Sequence, residues 1–216
     1  MSLSTRYHVP DTKYLIGVDE AGRGPLAGPL ALSALLVRDQ RVLRQFAGIK
    51  DSKKLSEAKR EKWFLKIKEA EKRGALVTET VLVENTAIDR KGMGRCLRDA
   101  TATALARFMP EKDAALVLLD GALYAPRMFP HQATIIKGDE KERVIAMASV
   151  VAKVTRDRAM YLLAKKYPLY GFERHKGYGT AAHYLAIKAH GVSAVHRRSF
   201  LRKMSNANKT PMTKSQ

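Results

Sequence analysis

Asp19 and Glu20 are adjacent carboxylates that stop an apolar run, Tyr14 to Val18, and Gly22-Arg23-Gly24-Pro25 follows at once. Two charges at the mouth of a buried strand repel each other and resist losing water unless a cation compensates them, and oxygen donors of this kind suit Mg²⁺ or Mn²⁺. The glycines let backbone N–H and C=O groups come close to a ligand because no Cβ intervenes. The pattern returns twice: Ala114 to Leu119 ends at Asp120-Gly121, and Ala133 to Ile136 ends at Lys137-Gly138-Asp139. In a sheet with parallel neighbours such strand ends gather on one edge, where open α/β sheets place their sites. Asp19, Glu20, Asp120 and Asp139 are therefore expected to share a site able to hold two hard cations, which would activate a water and stabilise the leaving oxygen of a phosphodiester. Neighbours on a strand point to opposite faces, so Asp19 and Glu20 can cooperate only if the strand ends or twists between them. A dinucleotide site is disfavoured, because Pro25 and the apolar run Leu30 to Val37 make the next element a strand rather than a phosphate-binding helix. No Walker A sequence is present.

The elements that must position these groups read as α/β. Tyr14 to Asp19 and Leu30 to Val37 form an expected antiparallel pair, and Ala75 to Val83 is a third strand. Ser56 is a plausible N-cap for a helix whose Trp63, Phe64, Ile67 and Ala70 recur on one face until Gly74. An alanine-rich helix is expected from Ile88 to about Met109, closed by Pro110. A long helix follows Asp139, which could cap it; it is apolar nearly all round from Ile145 to Val154, hence buried, and ends near Tyr167-Pro168. A last helix spans Thr180 to His190 before Gly191.

Charge narrows the partner. The 216 residues carry 40 Lys and Arg against 21 Asp and Glu, a net +19, and 17 of the basic residues but only 5 of the acidic ones lie after residue 136. Such a balance favours nucleic acid, since each Lys or Arg that neutralises a phosphate releases a counterion. A basic membrane-surface or ribosome-associated protein would share it, so charge alone names no activity. The single cysteine, Cys96, excludes an internal disulfide and a cysteine-based zinc site, and no HxxxH-type spacing occurs among the six histidines. No apolar stretch reaches membrane-spanning length and the N-terminus has no signal-peptide core, so a cytoplasmic, membrane-free protein is expected.

VDEAGRGPLAGP (Val18 to Pro29), DSKKLS (Asp51 to Ser56), LLDG (Leu118 to Gly121), KGD (Lys137 to Asp139), AKVTRDR (Ala152 to Arg158), HKGYGT (His175 to Thr180) and HRRSF (His196 to Phe200) together resemble bacterial ribonuclease HII, in the family's order. The resemblance implies a ribonuclease H-like mixed sheet flanked by helices with a C-terminal helical extension. It divides the chain into a lead-in (1–13), a catalytic domain (14–167), a substrate-binding extension (168–204) and a disordered tail (205–216). It implies Mg²⁺- or Mn²⁺-dependent hydrolysis of RNA in RNA/DNA hybrids, and incision on the 5′ side of a single ribonucleotide in duplex DNA, leaving 3′-hydroxyl and 5′-phosphate ends; a monomer is expected, although the sequence does not give the oligomeric state. The family's acidic ligands fall on Asp19, Glu20, Asp120 and Asp139, and its clamp on the ribose 2′-hydroxyl on Gly22, Arg23, Gly24 and Tyr178. Glu140-Lys141-Glu142 after KGD departs from the family's small polar residue and adds acid beside the fourth carboxylate, and the stretch from Ile88 to Thr101 is a loose fit.

Single residues admit competing readings. Asp157 is read as structural, held by Lys153 and flanked by Arg156 and Arg158, rather than as a fifth ligand. Lys53, Lys54 and Lys153 are candidate phosphate contacts. Tyr178, between glycines in the basic third, reads as a substrate-facing ring. His196 beside Arg197 and Arg198 reads as backbone binding or helix-end packing. A binding module for RNA or ribosomes, or an inactive homologue, stays open as an alternative.

Overall fold

The computed structural model describes residues 12–49, 52 and 55–201. Its five strands are β1 (Tyr14–Ala21), β2 (Leu30–Val37), β3 (Leu76–Val83), β4 (Ala115–Asp120) and β5 (Gln132–Ile135), ordered β3-β2-β1-β4-β5. β1 pairs antiparallel with β2, which pairs antiparallel with β3, while β1–β4 and β4–β5 are parallel. The parallel half puts the C-terminal ends of β1, β4 and β5 on one edge, as the recurrence of strand-end carboxylates requires.

Helices cover both faces, which is why β1, β2 and β4 read as nearly unbroken apolar runs. On one face Ile16, Val18, Leu32 and Val117 meet Leu97, Ala100, Ala104 and Leu105 of α3 (Met93–Ala106). On the other, Leu15, Leu35, Leu116 and Leu118 meet Phe64, Ile67 and Ala70 of α1 (Glu57–Lys72) and the apolar half of α5 (Arg143–Lys166). Ser56 caps α1 as expected, accepting from the Lys59 amide. Gly17 lies where α5 touches the sheet: a Cβ there would overlap the Val144 carbonyl oxygen. α5 passes beyond the sheet, and Met160 joins a third apolar cluster with Leu26, Ala27, Tyr170, Phe172 and Ile187. That cluster contains the short α6 (Phe172–His175), which the sequence does not announce, and α7 (Ala181–His190), capped by Thr180.

Three expectations are corrected. The alanine-rich helix is two, α2 (Asn85–Lys91) and α3, because Gly92 at φ 78° sits outside the helical region. Asp139 does not cap the long helix: it lies in the first turn of a separate α4 (Gly138–Lys141), and extended Glu142 separates α4 from α5. β1 does not stop at Asp19 but continues to Ala21. Most of the lead-in, Lys53, Lys54 and the tail from 205 lie outside the described residues. No helix among the described residues is long and apolar enough to cross a membrane.

Candidate active site

The β1–β4 ladder ends at Val18 and Leu119, one residue before Asp19 and Asp120, so these carboxylates stand side by side where the two strands begin to part. Asp19 is buried, its Oδ1 accepts the Glu20 amide at 2.7 Å, and the Ser149 side chain of α5 hydrogen-bonds to it. Burial holds its carboxyl well above the usual carboxylate range, and the charges of Glu20 and then Asp120 push it further the same way. Asp19 thus feels the charges of both Glu20 and Asp120, although all of Asp19 to Ala21 stays within β1.

The other partners are local. Arg23 Nε lies 2.6 Å from Glu20 Oε1 across one turn of the glycine loop. Asp120 Oδ1 accepts the Gly138 amide at 2.6 Å, which ties the end of β4 to α4 and brings Asp139, buried in the next position, to the same edge. Among the described residues no three His, Cys, Asp or Glu already converge as a set of metal ligands. The donor chemistry nevertheless fits a hard divalent cation. A buried aspartate raised by two neighbouring carboxylates is a place where positive charge is stabilising, and every donor is an oxygen.

A cleft of ≈ 210 Å³ opens beside this edge, lined by Glu20, Ala21, Gly22, Arg23, Gly24, Ser52, Lys153 and Tyr178. It gathers the expected Gly-Arg-Gly backbone, Tyr178 and Lys153 from three distant parts of the chain. The two glycines differ. Gly22 has φ 98° and its missing Cβ makes room for Arg156 Nε, whereas a Cβ at Gly24 would meet no protein atom within 4 Å. Gly22 thus serves the loop's shape, and Gly24 leaves open space on the cleft side. Tyr178 is partly exposed, its ring 5.5 Å from the Arg156 guanidinium and 6.0 Å from Lys153 Nζ.

Lys153 Nζ is 2.7 Å from Asp157 Oδ1, and Arg60 lies 3.7 Å from the other oxygen. Asp157 is thus held in ion pairs by Lys153 and Arg60 rather than by the flanking arginines. Arg158 pairs with Glu61 at 2.5 Å, and Arg156 points inward. Burial lowers the Lys153 pKa, and the bond from Asp157 offsets only part of that.

Sequence reasoning missed the groups that hold the glycine loop. Arg156 is fully buried and donates to the carbonyls of Pro29 and Lys176, and Arg197, also fully buried, donates to those of Gly28 and Arg23. Their charge suggests ion pairs or contacts to a nucleic-acid backbone, whereas both are buried and bonded to protein carbonyls. The available signal was the loop itself, because a buried segment rich in Gly and Pro has carbonyls that no strand or helix satisfies. His196 is likewise buried, not free to meet a nucleic-acid backbone.

The ribonuclease HII family model matches residues 16–203. The chain belongs to the ribonuclease HII family. It is thereby a metal-dependent endoribonuclease of the ribonuclease H type. A ribonuclease HII of Bacillus cereus (strain AH820) is 43% identical over 187 residues, covering 87% of this chain and 68% of the relative. Among solved structures, ribonuclease HII of Archaeoglobus fulgidus, in a complex with PCNA, is 26% identical with a TM-score of 0.71, covering 92% of this chain and 98% of that one. Ribonuclease H2 of Pyrococcus horikoshii OT3 is 27% identical with a TM-score of 0.68, covering 91% and 100%. These likenesses, with the mixed five-stranded sheet flanked by helices, bear out the ribonuclease H-like fold expected from the motifs.

Proposed function

We propose that this ribonuclease HII chain hydrolyses RNA in RNA/DNA hybrids and incises duplex DNA on the 5′ side of a single embedded ribonucleotide, with Asp19, Glu20, Asp120 and Asp139 holding Mg²⁺ or Mn²⁺. The observation that carries this reading is the junction of two sites: Glu20 and Arg23 belong both to the carboxylate edge and to the cleft that contains Tyr178. A ribose seated against the Gly22-Arg23-Gly24 backbone would place its phosphodiester beside the acids. Bound there, two divalent cations would supply an activated water and stabilise the leaving 3′-oxygen.

The chain's own groups do the rest. Gly24 leaves room for the sugar, the loop backbone and the Tyr178 hydroxyl offer hydrogen bonds to a 2′-hydroxyl, and the tyrosine ring packs on the ribose. Arg23 shields Glu20 before substrate arrives. Lys153, held by Asp157, and Lys53 meet flanking phosphates. A pure binding module would not need a buried aspartate raised by two neighbouring acids. We place the enzyme in the cytoplasm as a monomer, with segment 168–204 widening the nucleic-acid surface.

The test is incubation with matched duplexes carrying one ribonucleotide or none, in Mg²⁺ or chelator. Metal-dependent incision of the first alone is expected; binding without incision would favour the inactive homologue.

A further inference from the structure

Tyr178 is held by its backbone, and the group that holds it belongs to a buried chain of histidines with no assigned role. The Tyr178 carbonyl accepts from His183 Nδ1 at 2.9 Å; His183 Nε2 is 3.0 Å from His196 Nε2, and His196 Nδ1 is 3.0 Å from the Ser193 amide. Both rings are fully buried.

The Ser193 amide sets the order of protons along this chain, and the Ser193 hydroxyl, 2.7 Å from His196 Nδ1, can donate to the same nitrogen. A backbone amide can only donate, so His196 Nδ1 carries no hydrogen and its proton sits on Nε2. That proton is donated to His183 Nε2, which must then be bare, leaving the His183 proton on Nδ1, facing the Tyr178 carbonyl. An imidazolium at either position would set N–H against N–H. Burial depresses both rings' basicity, in keeping with neutral imidazoles. The surrounding groups add no carboxylate: His175 stacks on His183 at 4.4 Å, and Tyr170 and Phe172 face His196. The next residue, Arg197, donates to the Arg23 carbonyl at 2.9 Å. One short stretch, Ser193 to Arg197, therefore anchors both halves of the clamp.

We propose that His183 and His196 are positioning residues for ribose recognition: their ordered N–H···N link transmits the placement of Ser193–Arg197 to Tyr178 and keeps its ring in register with the Gly22-Arg23-Gly24 backbone. This rests on the reading of Tyr178 as part of the ribose clamp.

The test compares His183→Leu, which removes both hydrogen bonds, with His183→Asn, which retains an amide donor near the Nδ1 position. Each is assayed for incision at a single ribonucleotide and for the rise in Tm with Mn²⁺, beside Tyr178→Ala. His183→Leu should lower kcat/KM about tenfold, the equivalent of one lost buried hydrogen bond, with the Mn²⁺ shift intact. His183→Asn should recover most of that loss. Nitrogen-15 NMR of the wild-type protein, which needs no variant to fold, should show one imidazole proton on His196 Nε2 and one on His183 Nδ1. Wild-type incision by folded His183→Leu, equal losses in the Leu and Asn variants, or the opposite tautomers would each overturn the proposal. Wild-type incision by Tyr178→Ala would instead overturn the clamp reading, and this proposal with it.

Discussion

Asp19 is where charge and burial conflict most. Because desolvation, Glu20 and Asp120 all disfavour its ionised form, the metal-free protein carries a strain that Asp19→Asn should relieve. That variant is expected to be as stable as the metal-free wild type or more so, by on the order of 1 kcal/mol, while losing incision and the rise in Tm with Mn²⁺. Thermal melts with and without Mn²⁺ check this, and a clearly destabilised, metal-responsive variant would contradict it. The two glycines separate by the same logic. Gly22→Ala must fit a Cβ against Arg156 at φ 98°, so it should lower stability, whereas Gly24→Ala meets only open space and should lower incision with the melt unchanged. Tyr178→Phe should cost about 1 kcal/mol of discrimination against deoxyribose, and Tyr178→Ala considerably more. The convergence of Asp19, Asp120 and Asp139 on one sheet edge was legible because each follows an apolar strand, and Tyr178 stood out by its setting between glycines. Arg156 and Arg197 were not, because a buried guanidinium bonded to carbonyls has the same letter as a solvated one.

Among the elements, the strands and long helices could be read because each carries a period that burial enforces. α6 could not, since four residues give no period, and the gap between α2 and α3 rests on the backbone angle of a single glycine. β1 packs closely on the start of α5 at Gly17. Gly17→Ala should push the start of α5 off the sheet and cost about 2 kcal/mol or more, read from denaturant melts, because the overlapping atom is backbone and cannot rotate away. The C-terminal elements have an acid limit of their own. His196 is held at about 4 when folded against an ordinary 6.5, so between these values the unfolded chain takes up a proton that the folded chain refuses. Stability is therefore intact above about pH 6.5 and falls as pH drops toward 4, by up to about 3 kcal/mol. His196→Gln should flatten that slope; an unchanged slope would place the acid sensitivity elsewhere.

At the scale of the molecule, the surplus of basic residues after residue 136 favours a polyanionic partner. Lys165, Lys166, Arg174 and Lys188 are exposed on the C-terminal elements. Replacing all four with Gln should weaken duplex binding and reduce the salt slope by about 1 for each phosphate no longer neutralised, a larger effect than deleting residues 205–216. The central claim is that the carboxylate edge cuts where the cleft finds a ribose. It is tested most directly by mapping single-turnover products from a labelled duplex with one ribonucleotide, in Mg²⁺ or Mn²⁺, for wild type and Asp19→Asn. Wild type should make one cut, on the 5′ side of the ribonucleotide, with a 3′-hydroxyl end, and Asp19→Asn none. Cutting that persists in chelator, that persists in Asp19→Asn, or that falls equally on an all-deoxyribose duplex would contradict it.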